Sequence, residues 1–161
     1  MIPLEFAIKL EENGEKYYRK QAEVYKGTEV ENIFLMLADD ENYHAEIIKQ
    51  EQSKNIYDLN DTKVLDESKD IFSNADDFTQ DIFSQPKQID ALRQALKKEQ
   101  ESIDLYQDMY DDTLEKDEQK LYSFLVKEEK KHYDVINALI ELHRHGEEWV
   151  EDAEFGKREK Y

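Results

Sequence analysis

FLMLADDENYHAEII, residues 34–48, decides how the chain is read. Its apolar positions recur at helical spacing, and on such a helix Glu41 and His44 lie three residues apart. Three residues turn an α-helix through about 300°, so both side chains leave one face, a turn apart. A carboxylate and an imidazole placed in that way can share one metal ion. YSFLVKEEKKHYDVI, residues 122–136, repeats the arrangement with Glu129 and His132.

The repeat extends well beyond those two pairs. A single 88-residue shift places Leu4, Ala7, Glu11 and Tyr18 on Leu92, Ala95, Glu99 and Tyr106. The same shift places Leu37, Glu41, His44 and Ile48 on Leu125, Glu129, His132 and Ile136. No gap is needed between the two helices of each half. The sequence therefore predicts two copies of a helical hairpin.

Periodicity and end signals delimit four helices. The first is expected over 3–27, with Pro3 at its start and Gly27 just past its end. Its stripe of Ala7, Gly14, Tyr18, Ala22 and Tyr25 is interrupted only by Glu11. The second is expected over 29–53 behind Thr28 as N-cap, and the short link between them makes an antiparallel pair. The third is expected over 87–112, opened by Pro86, where Glu99 interrupts a stripe of Leu92, Ala95, Ser102, Tyr106 and Met109. The fourth is expected over 117–145, ended by Gly146. Residues 54–86 are polar but carry anchoring aromatics, and are read as a long crossover with short helical pieces. The expected organisation is an all-α, antiparallel four-helix bundle over 1–146. A tail over 147–161 would dock through Trp149, Val150 and Phe155 on the bundle or a partner subunit.

Composition removes several classes of function. The 161 residues suit one domain with a real core. A net charge of −18 disfavours nucleic acid and anionic lipid as partners. The absence of cysteine excludes disulfides, thiolate catalysis and cysteine-ligated iron or zinc within the chain. No apolar run approaches the roughly 20 residues of a membrane span. MIPLEF lacks a basic segment followed by an apolar one, so no secretion signal is expected and the cytoplasm is the expected compartment.

Packing the hairpins together brings Glu11, Glu41, His44, Glu99, Glu129 and His132 to one place. Four carboxylates in an apolar core repel one another and lose hydration, so without metal some must take up protons. Two divalent cations would cancel their charge with both imidazoles neutral. Mixed carboxylate and imidazole donors suit iron or manganese, with zinc as a substitute. Symmetry makes Glu41 and Glu129 the bridging ligands and Glu11 and Glu99 the terminal ones. Tyr18 and Tyr106 are candidates to hydrogen-bond these carboxylates or to supply an electron, with plain core packing as the alternative. His143 and His145 read as helix-end residues.

The order Glu, Glu-x-x-His, Glu, Glu-x-x-His across four helices resembles the ferritin-like di-iron carboxylate proteins. LEENGEKYY around Glu11, LADDENYH around Glu41, KKEQESIDLY around Glu99 and VKEEKKHY around Glu129 are similar to the rubrerythrin branch. The tail WVEDAEF is similar to short relatives of that branch. The resemblance covers residues 4–140 and implies two iron ions that reduce hydrogen peroxide or dioxygen, in a protective or iron-handling role. It departs from the branch in two ways. No cysteine-ligated rubredoxin iron is present, so an external electron donor is implied. Ser102 also stands where those proteins carry a further Glu one turn after the first ligand of the third helix. His132 argues against plain iron storage, since storage sites usually lack the second His. Non-catalytic iron binding stays open as the alternative, with a hydroxylase and a purely structural bundle behind it. A homodimer is expected.

Overall fold

The computed structural model describes residues 2–72 and 89–155, with side chains of the last helix described as far as Arg144. The described residues form five helices: α1 (Leu4–Val24), α2 (Glu29–Gln52), α3 (Val64–Phe72), α4 (Ile89–Asp112) and α5 (Lys116–Phe155). α1 packs lengthwise on α2 and α4 on α5, giving the two expected hairpins. α3 lies in the crossover and packs on α2 and α5. No described helix is long and apolar enough to cross a membrane.

Local chemistry explains most of the boundaries. Pro3 precedes α1 in an extended conformation (φ −67°, ψ 142°), and its carbonyl accepts from the Phe6 N–H at 3.1 Å. The turn after α1 needs a positive φ, which Gly27 supplies at +86° without a Cβ clash. Thr28 occupies the N-cap position of α2, but its Oγ1 donates backwards to the Tyr25 carbonyl at 2.6 Å. Glu31 instead reaches back and accepts from the Gly27 N–H at 3.2 Å.

One expected boundary is wrong. Gly146 does not end the last helix; α5 runs through it to Phe155. An interior Gly costs about 1 kcal/mol relative to Ala, which good helix formers on both sides can absorb. No Pro follows to force a stop. The docking expected of Trp149, Val150 and Phe155 lies outside the described side chains, as Pro86 lies outside the described residues.

The core is two apolar layers with a polar layer between them. One layer, toward the α1–α2 turn, contains Tyr18, Tyr25, Phe34, Leu37, Leu92 and Ile136. The other contains Ala7, Ile48, Tyr106, Leu121 and Leu125. Along all four long helices, the glutamates and histidines singled out above fall between these groups. Burying each large apolar side chain contributes about 1.5–3 kcal/mol, so the apolar layers hold the polar one in place. The crossover is pinned as well. Tyr43 donates to the Asp58 carbonyl at 3.0 Å, and its hydroxyl oxygen accepts from the Asn60 N–H at 2.8 Å. Val64 is buried, and Leu65, Ile71 and Phe72 pack on the first layer.

Candidate metal centre

Each long helix delivers its residues to the centre by the register of its apolar stripe. Glu11 comes from α1, Glu41 and His44 from α2, Glu99 from α4, and Glu129 and His132 from α5. All six are buried, none more than 5% exposed. Their donor atoms fall into two overlapping groups, each within 4.8 Å: Glu11, Glu41, His44 and Glu129, and Glu41, Glu99, Glu129 and His132. Glu41 and Glu129 belong to both groups, and the histidines to one each.

The two imidazoles stack with centroids 5.6 Å apart, and both aim Nδ1 inward. His44 Nδ1 lies 3.2 Å from Glu129 and 3.6 Å from Glu11. His132 Nδ1 lies 2.9 Å from Glu41 and 3.7 Å from Glu99. Both Nδ1 atoms, together with Glu41 Oε1, Glu99 Oε2 and Glu129 Oε1, are buried without a hydrogen-bond partner. An unsatisfied buried polar atom costs about 1–3 kcal/mol, so five converging on one spot fit a site completed by cations. Carboxylate oxygens with one imidazole on each side form a donor set suited to two first-row divalent metals.

Charge distribution supports the same fit. Burial pushes the Glu41 and Glu129 carboxyls well up, and the nearby Glu11 charge pushes them further. Burial also raises Glu11, but close contacts with Glu41 and His44 outweigh it and bring the group down to about 2. Glu99 is likewise lowered, because contacts with Glu129 and His132 overcome burial. Burial pushes His132 down, but Asp40 and Glu99 outweigh it and carry the ring well above its ordinary value. His44 moves upward as Glu11 and Glu128 overcome burial. In the absence of cations, burial and mutual repulsion thus favour protonation of Glu41 and Glu129 over that of Glu11 and Glu99.

The surrounding hydrogen bonds cross between the two halves. Tyr18 donates to Glu99 in a very short hydrogen bond, and Tyr106 donates to Glu11 at 2.9 Å. Burial first, then the neighbouring carboxylates, raise both phenols well above their ordinary value, so both remain O–H donors.

Two residues that the sequence reading missed complete the pattern. His132 Nε2 lies 3.0 Å from Asp40, and His44 Nε2 lies 3.6 Å from Glu128. Glu128 is fully buried and accepts from Thr62 Oγ1 at 2.6 Å and from Lys131 Nζ at 2.7 Å. Burial pushes its carboxyl up, but contacts with His44, Lys131 and Thr62 prevail and bring it to about 2. A carboxylate hydrogen-bonded to the outer ring nitrogen, as Asp40 is to His132, fixes the orientation of a ligating imidazole and raises its basicity. Glu128, at 3.6 Å, stands behind His44 Nε2 without a hydrogen bond, and that nitrogen is buried without a partner. Asp40 and Glu128 are themselves related by the 88-residue shift, which was the available signal.

Gly14 also has a role beyond a small position on a stripe. A Cβ there would sit 2.4 Å from Glu41 Oε2, so the glycine leaves space for that carboxylate. Its counterpart under the shift is Ser102.

A helical bundle with two mutually embedded Glu/His groups at its centre defines a ferritin-like protein of the di-iron carboxylate class. Comparison with family models agrees: the Rubrerythrin model matches residues 3–140, and the chain belongs to the rubrerythrin family. No curated protein and no solved structure gave a significant match.

Proposed function

We propose that Glu11, Glu41, His44, Glu99, Glu129 and His132 hold two metal ions, iron in the first instance, and that the protein reduces hydrogen peroxide or dioxygen in the cytoplasm. The observation that carries this reading is the pair of overlapping donor groups sharing Glu41 and Glu129, with their partnerless buried atoms. Bound ferrous iron would supply the electrons for oxidant reduction.

The chain's own residues perform the supporting work. Glu41 and Glu129, which belong to both donor groups, would be shared between the two ions, and Glu11 and Glu99 would each serve one of them. Asp40 keeps the His132 ring oriented with Nδ1 inward, and Glu128 places a negative charge behind His44 Nε2. Tyr18 and Tyr106 hold Glu99 and Glu11 in place by donating their hydroxyl protons. The apolar layers exclude bulk water above and below. With no cysteine in the chain, re-reduction falls to a separate donor. Manganese or zinc fits the same donor set, but zinc would not support redox turnover.

The test is anaerobic loading with ferrous iron followed by hydrogen peroxide. The expected result is two irons per chain and new near-ultraviolet absorption from an oxidised iron pair, with peroxide consumed in proportion to reductant supplied. Two irons bound without peroxide loss would favour iron binding without turnover. Failure to bind iron at this stoichiometry would refute both.

A further inference from the structure

Tyr25 and His143 form a buried pair in the apolar layer toward the α1–α2 turn, and no step proposed above uses it. Both residues are nearly inaccessible, and 2.8 Å separates the Tyr25 hydroxyl from His143 Nε2. Burial pushes the Tyr25 phenol above its ordinary value and brings His143 down to about 4. At neutral pH the phenol is therefore the donor and the uncharged ring nitrogen the acceptor.

A chain of aromatic rings joins this pair to the centre. Tyr25 stacks on Phe34 with centroids 5.4 Å apart, and Phe34 stacks on Tyr18 at 6.1 Å. Tyr18 meets the His132 ring edge-on at 6.3 Å and donates to Glu99. The rings thus run from two proposed ligands to Tyr25, about 10 Å further along α1 than Tyr18.

The internal repeat shows that the fold does not require the pair. Under the 88-residue shift, Tyr18 and Phe34 fall on the aromatic Tyr106 and Tyr122, but Tyr25 and His143 fall on Thr113 and Asn55. The hydroxyls also differ in where a proton can go. A phenol that loses one electron becomes a strong acid, so oxidation comes to rest where a base takes its proton. Tyr17 meets Tyr18 edge-on at 5.4 Å, but its hydroxyl donates to the Ala91 carbonyl, which is no base at neutral pH. Tyr18 and Tyr106 donate to Glu99 and Glu11, carboxylates assigned above to cations. Of these four phenols, Tyr25 alone faces a neutral imidazole.

We infer that Tyr25, with His143 as its proton acceptor, is a one-electron reserve used when hydrogen peroxide meets a centre holding one electron instead of two. The inference rests on the redox reading above. Peroxide needs two electrons and two protons to become two waters. A single ferrous ion provides one electron, and on its own would release a hydroxyl radical. With the reserve, one electron comes from that ion and the other from Tyr25, along the chain of rings. The O–O bond breaks, two protons from solvent complete the two waters, and the ion becomes ferric. Tyr25 becomes a neutral phenoxyl radical, and its phenolic proton moves to His143 Nε2. A later electron from the separate donor, with return of that proton, restores the phenol.

The test uses the full-length protein loaded with ferrous iron, half-oxidised with ferricyanide, mixed with hydrogen peroxide and freeze-quenched. Electron paramagnetic resonance should show a phenoxyl signal that narrows when the protein carries ring-deuterated tyrosine. Tyr25→Phe should abolish that signal and release hydroxyl radical to a spin trap, whereas Tyr17→Phe should keep the signal. His143→Gln should slow radical formation about 100-fold, the scale of losing a positioned base. A ring-fluorinated tyrosine placed at position 25 should add a fluorine splitting, which decides the assignment where Tyr25→Phe does not fold. The inference is overturned by absence of a radical in the half-oxidised wild type, by a signal that survives Tyr25→Phe or lacks the fluorine splitting, or by a signal lost in Tyr17→Phe. A formation rate unchanged in His143→Gln overturns it too. The fully ferrous protein separates the two readings: if peroxide leaves its iron ferrous, both fall, and if its iron is oxidised while the half-oxidised protein gives no radical, the reserve alone falls.

Discussion

His143 provides a test of the packing that is independent of the metal centre. It is 2% exposed, and a hydrogen bond of 2.8 Å joins its Nε2 to the Tyr25 hydroxyl. Burial lowers its pKa from 6.5 to about 4. The unfolded chain therefore takes up a proton near pH 6.5, while the folded chain resists until about pH 4. Between those values the unfolded state binds more protons, so stability falls as pH falls. Above pH 6.5 the residue contributes no pH dependence, and below about 4 the loss is complete. At about 1.36 kcal/mol per pKa unit, the full loss is about 3 kcal/mol, of which about 2 kcal/mol is reached by pH 5. Urea unfolding of the wild type and His143→Gln, both metal-free, isolates the effect, because every other titration is common to the pair. The wild type should lose about 2 kcal/mol more than the variant between pH 7.5 and pH 5. Parallel loss would falsify the argument that His143 is held neutral by burial.

Three further outcomes concern the centre. Asp40→Asn and Glu128→Gln should each weaken metal binding about 10–100-fold without abolishing it, as read by chelator competition. Glu41→Gln combined with Glu129→Gln should not lower the melting temperature of the metal-free protein, because both groups are buried and hold protons there. The same pair should remove metal-induced stabilisation, worth about 2.7 kcal/mol in the wild type at a hundredfold excess over Kd. Metal affinity should fall as pH falls, because cations must displace protons from Glu41 and Glu129, whose pKa values are raised. Calorimetry in buffers of different ionisation enthalpy should show protons released on binding, and a pH-independent affinity would refute this.

The fold and the six central residues were legible because both follow from one periodicity. A helix fixes which residues share a face, and a single shift relates the two halves, so the meeting point needs no knowledge of loops. The remainder depended on tertiary contacts. Asp40 and Glu128 each precede an inward glutamate by one residue, about 100° around the helix, where an acid reads as solvated. Only the packed neighbour turns that position inward toward the opposite imidazole. His143 was misread with the end of α5: with Gly146 taken as a stop, it fell in a last turn rather than beside Tyr25. The path of the crossover at Asp58 and Asn60 is likewise set by the Tyr43 hydroxyl, a tertiary contact that no local pattern encodes.

The hydrogen bonds around the centre explain why the two hairpins form a single functional unit. Tyr18 of the first half holds Glu99 of the second, and Tyr106 holds Glu11 in return. Asp40 hydrogen-bonds His132, and Glu128 stands 3.6 Å behind His44 as a charge contact. Every such support crosses the interface, so neither hairpin carries a properly oriented half-site alone. Each of the two candidate donor groups also draws a carboxylate from each half. On the proposed assignment, binding one cation would stiffen residues that the second requires, since Glu41 and Glu129 belong to both groups. The second ion would then bind to a site that the first had already ordered. Its affinity would gain from that ordering and lose from the repulsion between two cations sharing Glu41 and Glu129.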